Sequence, residues 1–480
     1  MLGIGALASR NQRTAGDYFL GARDLPAGAV LFSIVATETS ALTVISVPGI
    51  GARGDLTFLQ LALGYVVGRI AVAYWLLPGY FAGKQETAYA RLESRFGRGT
   101  RRLVSTLFLG TRFLGDGVRV FAGSIPLAVV TGWSVPASIV VMGIVTLVYT
   151  WLGGLRAVVW TDVLQLVVYV AGGIAALGIA ADLAGGFPAV LQLAGEAGKL
   201  RMFDHSLALD QPYTLLAGLV GGAMLSAASH GTDHLIVQRL LATRSLSDAR
   251  RALVGSGVAV ALQFLLFLLV GTALWAAGQA PGGVSGDELF PRFIVDHLPS
   301  GVAGLVVAGI LAAAMSTLSS SINALGSSVT HDWYATTPER QDPTRLLRVG
   351  RIVSGIWGVL LILGALGFHA WGATDTPVVV LALSIASVTY GALLGTYVLA
   401  AKFPGVRGSD VARAVGVALA VMLLVVFAGR LAASGEPAWL GSLGRLAWPW
   451  YVPLGTVLTV ATGALSAALA RRPGAREAAG

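Results

Sequence analysis

Apolar stretches of about 20 residues recur along the whole chain, separated by short polar or charged segments. That is the length an α-helix needs to cross roughly 30 Å of hydrocarbon at 1.5 Å per residue. The pattern predicts an all-α membrane protein with spans at 27–50, 56–80, 103–130, 134–152, 158–182, 213–236, 252–277, 301–330, 350–370, 376–400, 411–432 and 449–470. Two spans are interrupted by small and polar residues near their middle. The first reads Ser33-Ile-Val-Ala-Thr-Glu-Thr-Ser-Ala-Leu-Thr43; five spans later comes Ser226-Ala-Ala-Ser-His-Gly-Thr-Asp-His234. Paired broken helices, one in each half of an inverted repeat, mark a central site near the bilayer midplane. The pairing divides the core into 27–182 and 213–400, five spans each, with two further spans at 411–470. An odd number of spans separates equivalent helices, so the halves run in opposite directions. Met1–Ala8 is apolar but too short to span, which predicts a truncated helix at the amino terminus.

The span at 301–330 departs from a plain apolar pattern. Ser316, Thr317, Ser319, Ser320 and Ser321 place five hydroxyls in six positions. Hydrocarbon satisfies no hydroxyl, so such a cluster needs polar company. Hydroxyl and carbonyl oxygens without His, Cys or a carboxylate cluster suit a weakly held monovalent cation better than a transition metal. Hydroxyls in membrane helices also bond back to their own backbone or pack at close helix contacts.

Composition agrees with a polytopic membrane protein. The 480 residues are 55% hydrophobic and 12% charged, against about 25% charged in soluble chains. No cysteine is present, which excludes disulfides and thiolate metal sites. The net charge of +9 does not form a nucleic-acid surface. Alternate loops hold 24 Lys and Arg on one side and six on the other, the bias that places a basic face in the cytoplasm. Arg239 falls in one of the basic loops by this reading, and Arg69, Arg112 and Arg119 lie inside spans. Trp133, Trp439, Trp448 and Trp450 sit at the predicted outer boundary, as an aromatic belt would. The partners expected are the bilayer, ions and a small molecule; nothing calls for nucleic acid or an obligatory protein partner.

Charges inside spans are costly and are paired or functional. Arg112, Asp116 and Arg119 share one face of the third span at i, i+4 and i+7. Two Arg against one Asp leave a positive charge that could receive a substrate carboxylate, for which a guanidinium is well shaped. The other reading is a structural cluster completed by Glu38 or Asp233. Glu38, His230, Asp233 and His234 surround the two helix breaks. Glu38 could polarise an ion site, titrate, or neutralise Arg119. His230 and His234 are spaced i, i+4, the spacing of an intramembrane metalloprotease, but such an enzyme wants Glu after the first His, and Gly231 stands there. The chain is therefore not read as an enzyme.

Several segments resemble the sodium/solute symporter family. Asp17-Tyr-Phe-Leu-Gly-Ala-Arg23 is similar to the motif preceding its first core helix. Gly153-Gly-Leu-Arg-Ala-Val-Val-Trp-Thr-Asp-Val-Leu-Gln165 resembles the motif opening core helix 5, and Ala313 to Ser320 with Thr330-His-Asp332 resembles core helix 8. Val237-Gln-Arg239 with Ala249-Arg-Arg251 is similar to the exit from core helix 6, and Gly391-Ala-Leu-Leu-Gly395, less specifically, to core helix 10. The resemblance covers about 10–400 and implies the LeuT-like five-plus-five fold with discontinuous core helices 1 and 6.

It also implies a sodium-coupled carrier in a cytoplasmic-type membrane, with one or two sodium ions. The main sodium site would use the carbonyls of Ala36, Thr39 and Ala313 and the hydroxyls of Ser316 and Thr317. The second would use Asp162, Ser316, Ser319 and Ser320; Asp162 as a plain helix cap is the alternative. Substrate would meet Thr43, Gln60, Tyr65, Arg112 or Arg119, Ser226, Ser229 and His230, with Glu38, Asp116 and Asp233 in pairing or coupling roles. Members carry sugars, proline, sialic acid, iodide, monocarboxylates and vitamins. A sugar is disfavoured here because the helix 6 aromatic gate is missing and Val260 stands where a sugar carrier has a polar group. A carboxylate-bearing solute is the expectation. A sugar or neutral amino-acid symporter, a sodium-gated sensor or channel, and a proton-coupled carrier are the alternatives.

Overall fold

The computed structural model describes residues 1–9, 12–83, 85–335, 337, 340–371, 378–432, 441 and 443–470. Regular structure among these residues is helical, apart from an isolated bridge between Leu25 and Thr243. Among the described residues seven helices are long and apolar enough to cross a membrane, and a bent pair makes an eighth. The protein is a multi-pass membrane protein.

Helix Val135–Leu183 covers two of the predicted spans. Its 49 residues would run about 74 Å if straight, more than twice the hydrocarbon thickness. The backbone breaks at Gly154, with φ 55° and ψ −154°. A side chain there would be strained and would meet Tyr18, so glycine is what lets core helix 4 turn into core helix 5.

Two predicted spans fall outside the apolar set among the described residues for a visible reason. Arg98–Thr131 carries Arg112, Asp116 and Arg119 in its middle. Core helix 6 is split into a π-turn at Ala217–Gly222 and helices Ala223–Gly231 and His234–Leu241. Val378–Lys402 is core helix 10; the start of its predicted span, 376–377, lies outside the described residues, as do Trp439 and the basic residues at 471–476.

The expected breaks are present. Core helix 1 consists of Ala27–Glu38 and Ala41–Arg53, bent by 67° around Thr39 and Ser40, whose ψ angles of 104° and 167° are extended. Core helix 6 breaks at Thr232–Asp233, and the Asp233 carboxylate caps the second half by accepting from Leu235 N at 2.9 Å. Each break frees carbonyls and N–H groups that a continuous helix would pair internally.

Small residues allow the helices to close on these breaks. A Cβ on Gly64 of core helix 2 would collide with the Gly218 carbonyl of core helix 6. The two carboxy-terminal helices, Gly408–Ala432 and Tyr451–Leu469, pack on core helix 10, where Gly391 faces Gly455. The amino-terminal helix Leu2–Ser9 rests on core helix 4, with Gly5 against Tyr149.

Candidate functional site

The hydroxyl-rich face of core helix 8 (Ser300–Ser328) is buried, with Ser316, Thr317, Ser319, Ser320 and Ser321 each at most 2% exposed. It faces the first half of core helix 1, and the Thr37 and Ser320 hydroxyls bond at 3.2 Å. Ala36, Thr39 and Ala313 are equally buried. Thr317 donates back to the Ala313 carbonyl at 3.3 Å, so both oxygens lie on one face. The Thr39 hydroxyl is committed to Val35 O at 2.8 Å and Gln263 Oε1 at 2.9 Å, which leaves its carbonyl at the break. These are neutral, dry oxygens between two helices, the donor set a monovalent cation accepts.

Asp162 sits at the centre of a second cluster. Its carboxylate accepts from Ser316 at 2.7 Å, Ser33 at 2.5 Å and, more weakly, Thr37 at 3.4 Å. It does not act as a plain helix cap. Ser319 is turned away and donates to the Ser316 carbonyl at 3.0 Å. A cation is already present: Arg239 Nη2 lies 3.2 Å from Asp162 Oδ2 and also donates to Ser320. The same guanidinium reaches Ser33 at 2.9 Å and the Leu235 carbonyl at 2.8 Å. Arg239, read from the sequence as a basic loop residue, is instead fully buried. The broken core helix 6 carries it back under core helix 1.

A cavity of about 340 Å³ lies at the breaks. Thr37, Glu38, Ser40 and Thr43 of core helix 1, Tyr65, Arg112, Arg119, Ser229, His230 and Tyr390 line it. Phe58, Tyr213, Trp448 and Tyr451 extend it toward the outer side. On the cytoplasmic side it is closed. Tyr80 bonds the Gly231 carbonyl at 2.6 Å, Tyr397 bonds Ala88 O at 2.6 Å, and Asp332 accepts from Thr87 at 2.6 Å and Arg101 at 2.7 Å.

Two expected pocket residues lie elsewhere. Gln60 is buried and clamps an outer loop, donating to Thr57 O and Tyr213 O and accepting from Asp204 N at 3.1 Å. Ser226 is 1% exposed and bonds the Tyr65 carbonyl at 3.1 Å. The two histidines do not converge: His230 bonds Ser229 at 2.8 Å, whereas His234 meets Ser327 at 3.0 Å and Ala88 N at 3.3 Å.

Of the two readings of the core helix 3 charges, the structure brings together the cluster completed by Asp233. Asp233 supplies the missing acid, accepting from Arg112 at 2.5 Å and from Tyr390 at 2.8 Å. Arg112 also lies 3.5 Å from Asp116. Among the described residues Arg119 pairs with Asp116 alone, at 2.9 Å, and remains 25% exposed in its side chain. The partner of Glu38 is Arg69 of core helix 2 rather than Arg119. Arg69 is fully buried and donates to Ser256 of core helix 7 at 2.6 Å. Four core helices therefore meet around Glu38, since His230 Nε2 lies 3.5 Å from it. Arg69, Arg239 and Tyr390 are the residues sequence reasoning missed. The signal for the first was present: an arginine inside a span must find an acid.

Two broken helices beside a central cavity, with a buried, oxygen-rich contact between the first of them and core helix 8, are the architecture of a LeuT-type transporter. The Sodium:solute symporter family model matches residues 18–401, and the chain belongs to that family, one of transporters. The human sodium/iodide cotransporter is 30% identical over 448 residues, covering 89% of this chain and 68% of the relative. The sodium/sialic acid symporter of Proteus mirabilis is 28% identical over 373 residues, 75% of each chain. The chain thus spans about two thirds to three quarters of these relatives' length. Among solved structures, a substrate-bound outward-open Na+-coupled sialic acid symporter superposes with a TM-score of 0.85 at 24% identity, covering 98% of this chain and 95% of that one. A nucleobase-cation-symport-1 family transporter gives 0.56 at 15% identity, covering 97% of both. These two likenesses concern the fold.

Proposed function

We propose that this protein is a secondary active symporter that imports a small carboxylate-bearing solute with sodium by alternating access. The observation that carries it is the junction of core helices 1 and 8, where neutral buried oxygens lie beside a cavity holding a partly exposed guanidinium. Sodium at Ala36, Thr39, Ala313, Ser316 and Thr317 would tie the core helix 1 break to core helix 8. Arg119, which lines the cavity and whose Nε–Nη2 edge has no partner among the described residues, would receive the carboxylate; Arg112 would hold Asp233 and the core helix 6 break. The repeats 27–182 and 213–400 would rock around this point, with 411–470 outside the cycle. The iodide, sialic acid and monocarboxylate cargoes in the names of relatives support an anionic group on the solute.

The reading includes the number of ions. Arg239 supplies the positive charge at Asp162, so one sodium binds at the main site, and a second enters the Asp162 cluster only by displacing Arg239.

Transport into proteoliposomes tests the coupling. An inward sodium gradient should drive accumulation of the cargo above its outside concentration, and a potassium or choline gradient should not. Equilibration without accumulation would indicate a channel or sensor, and accumulation driven by a proton gradient alone would move the coupling to protons.

A further inference from the structure

The charged groups lining the cavity, and the buried carboxylates behind them, differ in how much of their hydrogen-bonding capacity is already taken. Asp233 is filled by Arg112, Tyr390 and Leu235 N, and Asp116 by Arg112, Arg119 and Ser321. Arg112 is held by two carboxylates and a tyrosine. Two groups are open. Arg119 commits only Nη1, to Asp116, and its Nε–Nη2 edge has no partner among the described residues. Glu38 commits only Oε2, to Arg69 and, at 3.5 Å, His230. Its Oε1 has no partner among the described residues, and the side chain is 20% exposed. Both residues line the same cavity.

The two open valences have opposite character. A guanidinium edge asks for a carboxylate. A free carboxylate oxygen asks for a donor, and in a desolvated site it disfavours a cargo that brings only negative charge. Arg69, itself bonded to Ser256, holds Glu38 from behind, so Glu38 cannot turn away from the cavity without leaving the buried Arg69 without its acid.

We propose that Glu38 is a second, anionic subsite, and that the cargo carries an ammonium group in addition to its carboxylate. The protein then selects small amino-acid-like zwitterions over plain monocarboxylates. This rests on the reading that Arg119 receives the carboxylate.

The test uses the purified full chain and matched acids on one carbon skeleton: L-alanine against propionate, and L-proline against cyclopentanecarboxylate. Thermal stabilisation is titrated in sodium chloride and in choline chloride. The expected result is that at least one amino acid stabilises in sodium at a concentration tenfold or more below its deaminated partner. Glu38→Gln should bring that ratio close to one while keeping the response to the plain acid. Equal or stronger stabilisation by the deaminated acid in the wild type would overturn the proposal, as would an unchanged ratio in Glu38→Gln. Where Glu38→Gln does not fold, the wild-type ratio decides alone. If no acid of either kind stabilises, the Arg119 reading itself fails and the subsite falls with it, a result distinct from a ratio of one.

Discussion

The Asp162 cluster and the central cavity are built from the same parts, arginine, carboxylate and hydroxyl, and they end in opposite conditions. Around Asp162 the named groups find partners: Ser33, Ser316 and Arg239 close on one carboxylate, Ser320 accepts from the same guanidinium, and none has exposed surface. In the cavity, Arg119 and Glu38 keep one open edge each. Burial makes the difference matter. A fully paired buried network resists change because removing one partner strands the other, whereas a half-open pair is poised to accept a ligand. Similar residues thus hold the helices together in one place and are left to bind in the other.

Breaking the closed cluster should give the largest effect. Arg239→Met leaves Asp162 buried without a cation and should cost about 3–5 kcal/mol of stability. Thermal unfolding in detergent measures it. Arg239→Met combined with Asp162→Leu should recover most of the loss, because it is then no longer a stranded charge.

The cavity arginines should separate next. Arg112→Leu strands Asp233 and should lower the melting temperature. Arg119→Leu should leave melting near the wild type and weaken cargo binding by about 1.5–3 kcal/mol, the range of a charge-assisted hydrogen bond. Equal behaviour of the two variants in paired melting and binding titrations would erase the distinction between them.

Thr317→Ala removes one oxygen from the main ion site and should weaken sodium about tenfold, or about 1.4 kcal/mol. Linkage then requires cargo affinity at limiting sodium to fall as well, and sodium and cargo each to raise the other's affinity by one common factor. Gln60→Ala, by contrast, should cost about 1 kcal/mol of stability without touching either affinity, since its bonds go to Thr57, Tyr213 and Asp204.

The smallest effect lies in the short helix Ala90–Phe96, between core helices 2 and 3. Hydrogen bonding from Arg101, with further help from Arg98, holds the Glu93 carboxyl below its usual range. A lowered native pKa contributes stability above the unfolded value near 4.5 and loses it as pH falls through the native value. A slight acid-side decline in melting temperature, absent in Glu93→Gln, is the expected outcome.

How much of this was legible in the sequence follows from what periodicity can encode. Span lengths and the two polar interruptions report local chemistry, and the helix breaks appear at Thr39–Ser40 and Thr232–Asp233, within the interrupted segments. The hydroxyl face of core helix 8 was visible for the same reason. Pairing was not, because it is tertiary. Asp233 was one of two acids offered to complete the core helix 3 cluster, 121 positions from Arg112, but the other, Glu38, chose Arg69, a residue the pattern left as a lone charge in a span. Arg239 was misread because loop charges are counted by position along the chain, and a broken helix can return a nominal loop residue to the interior.

Counting bound sodium tests the central contrast most directly. Equilibrium binding of radioactive sodium to the purified wild type should give one ion per chain, lost or strongly weakened in Thr317→Ala, with a second ion appearing in Arg239→Gln. Two ions per wild-type chain, or a single ion abolished by Asp162→Asn and retained in Thr317→Ala, would contradict the account.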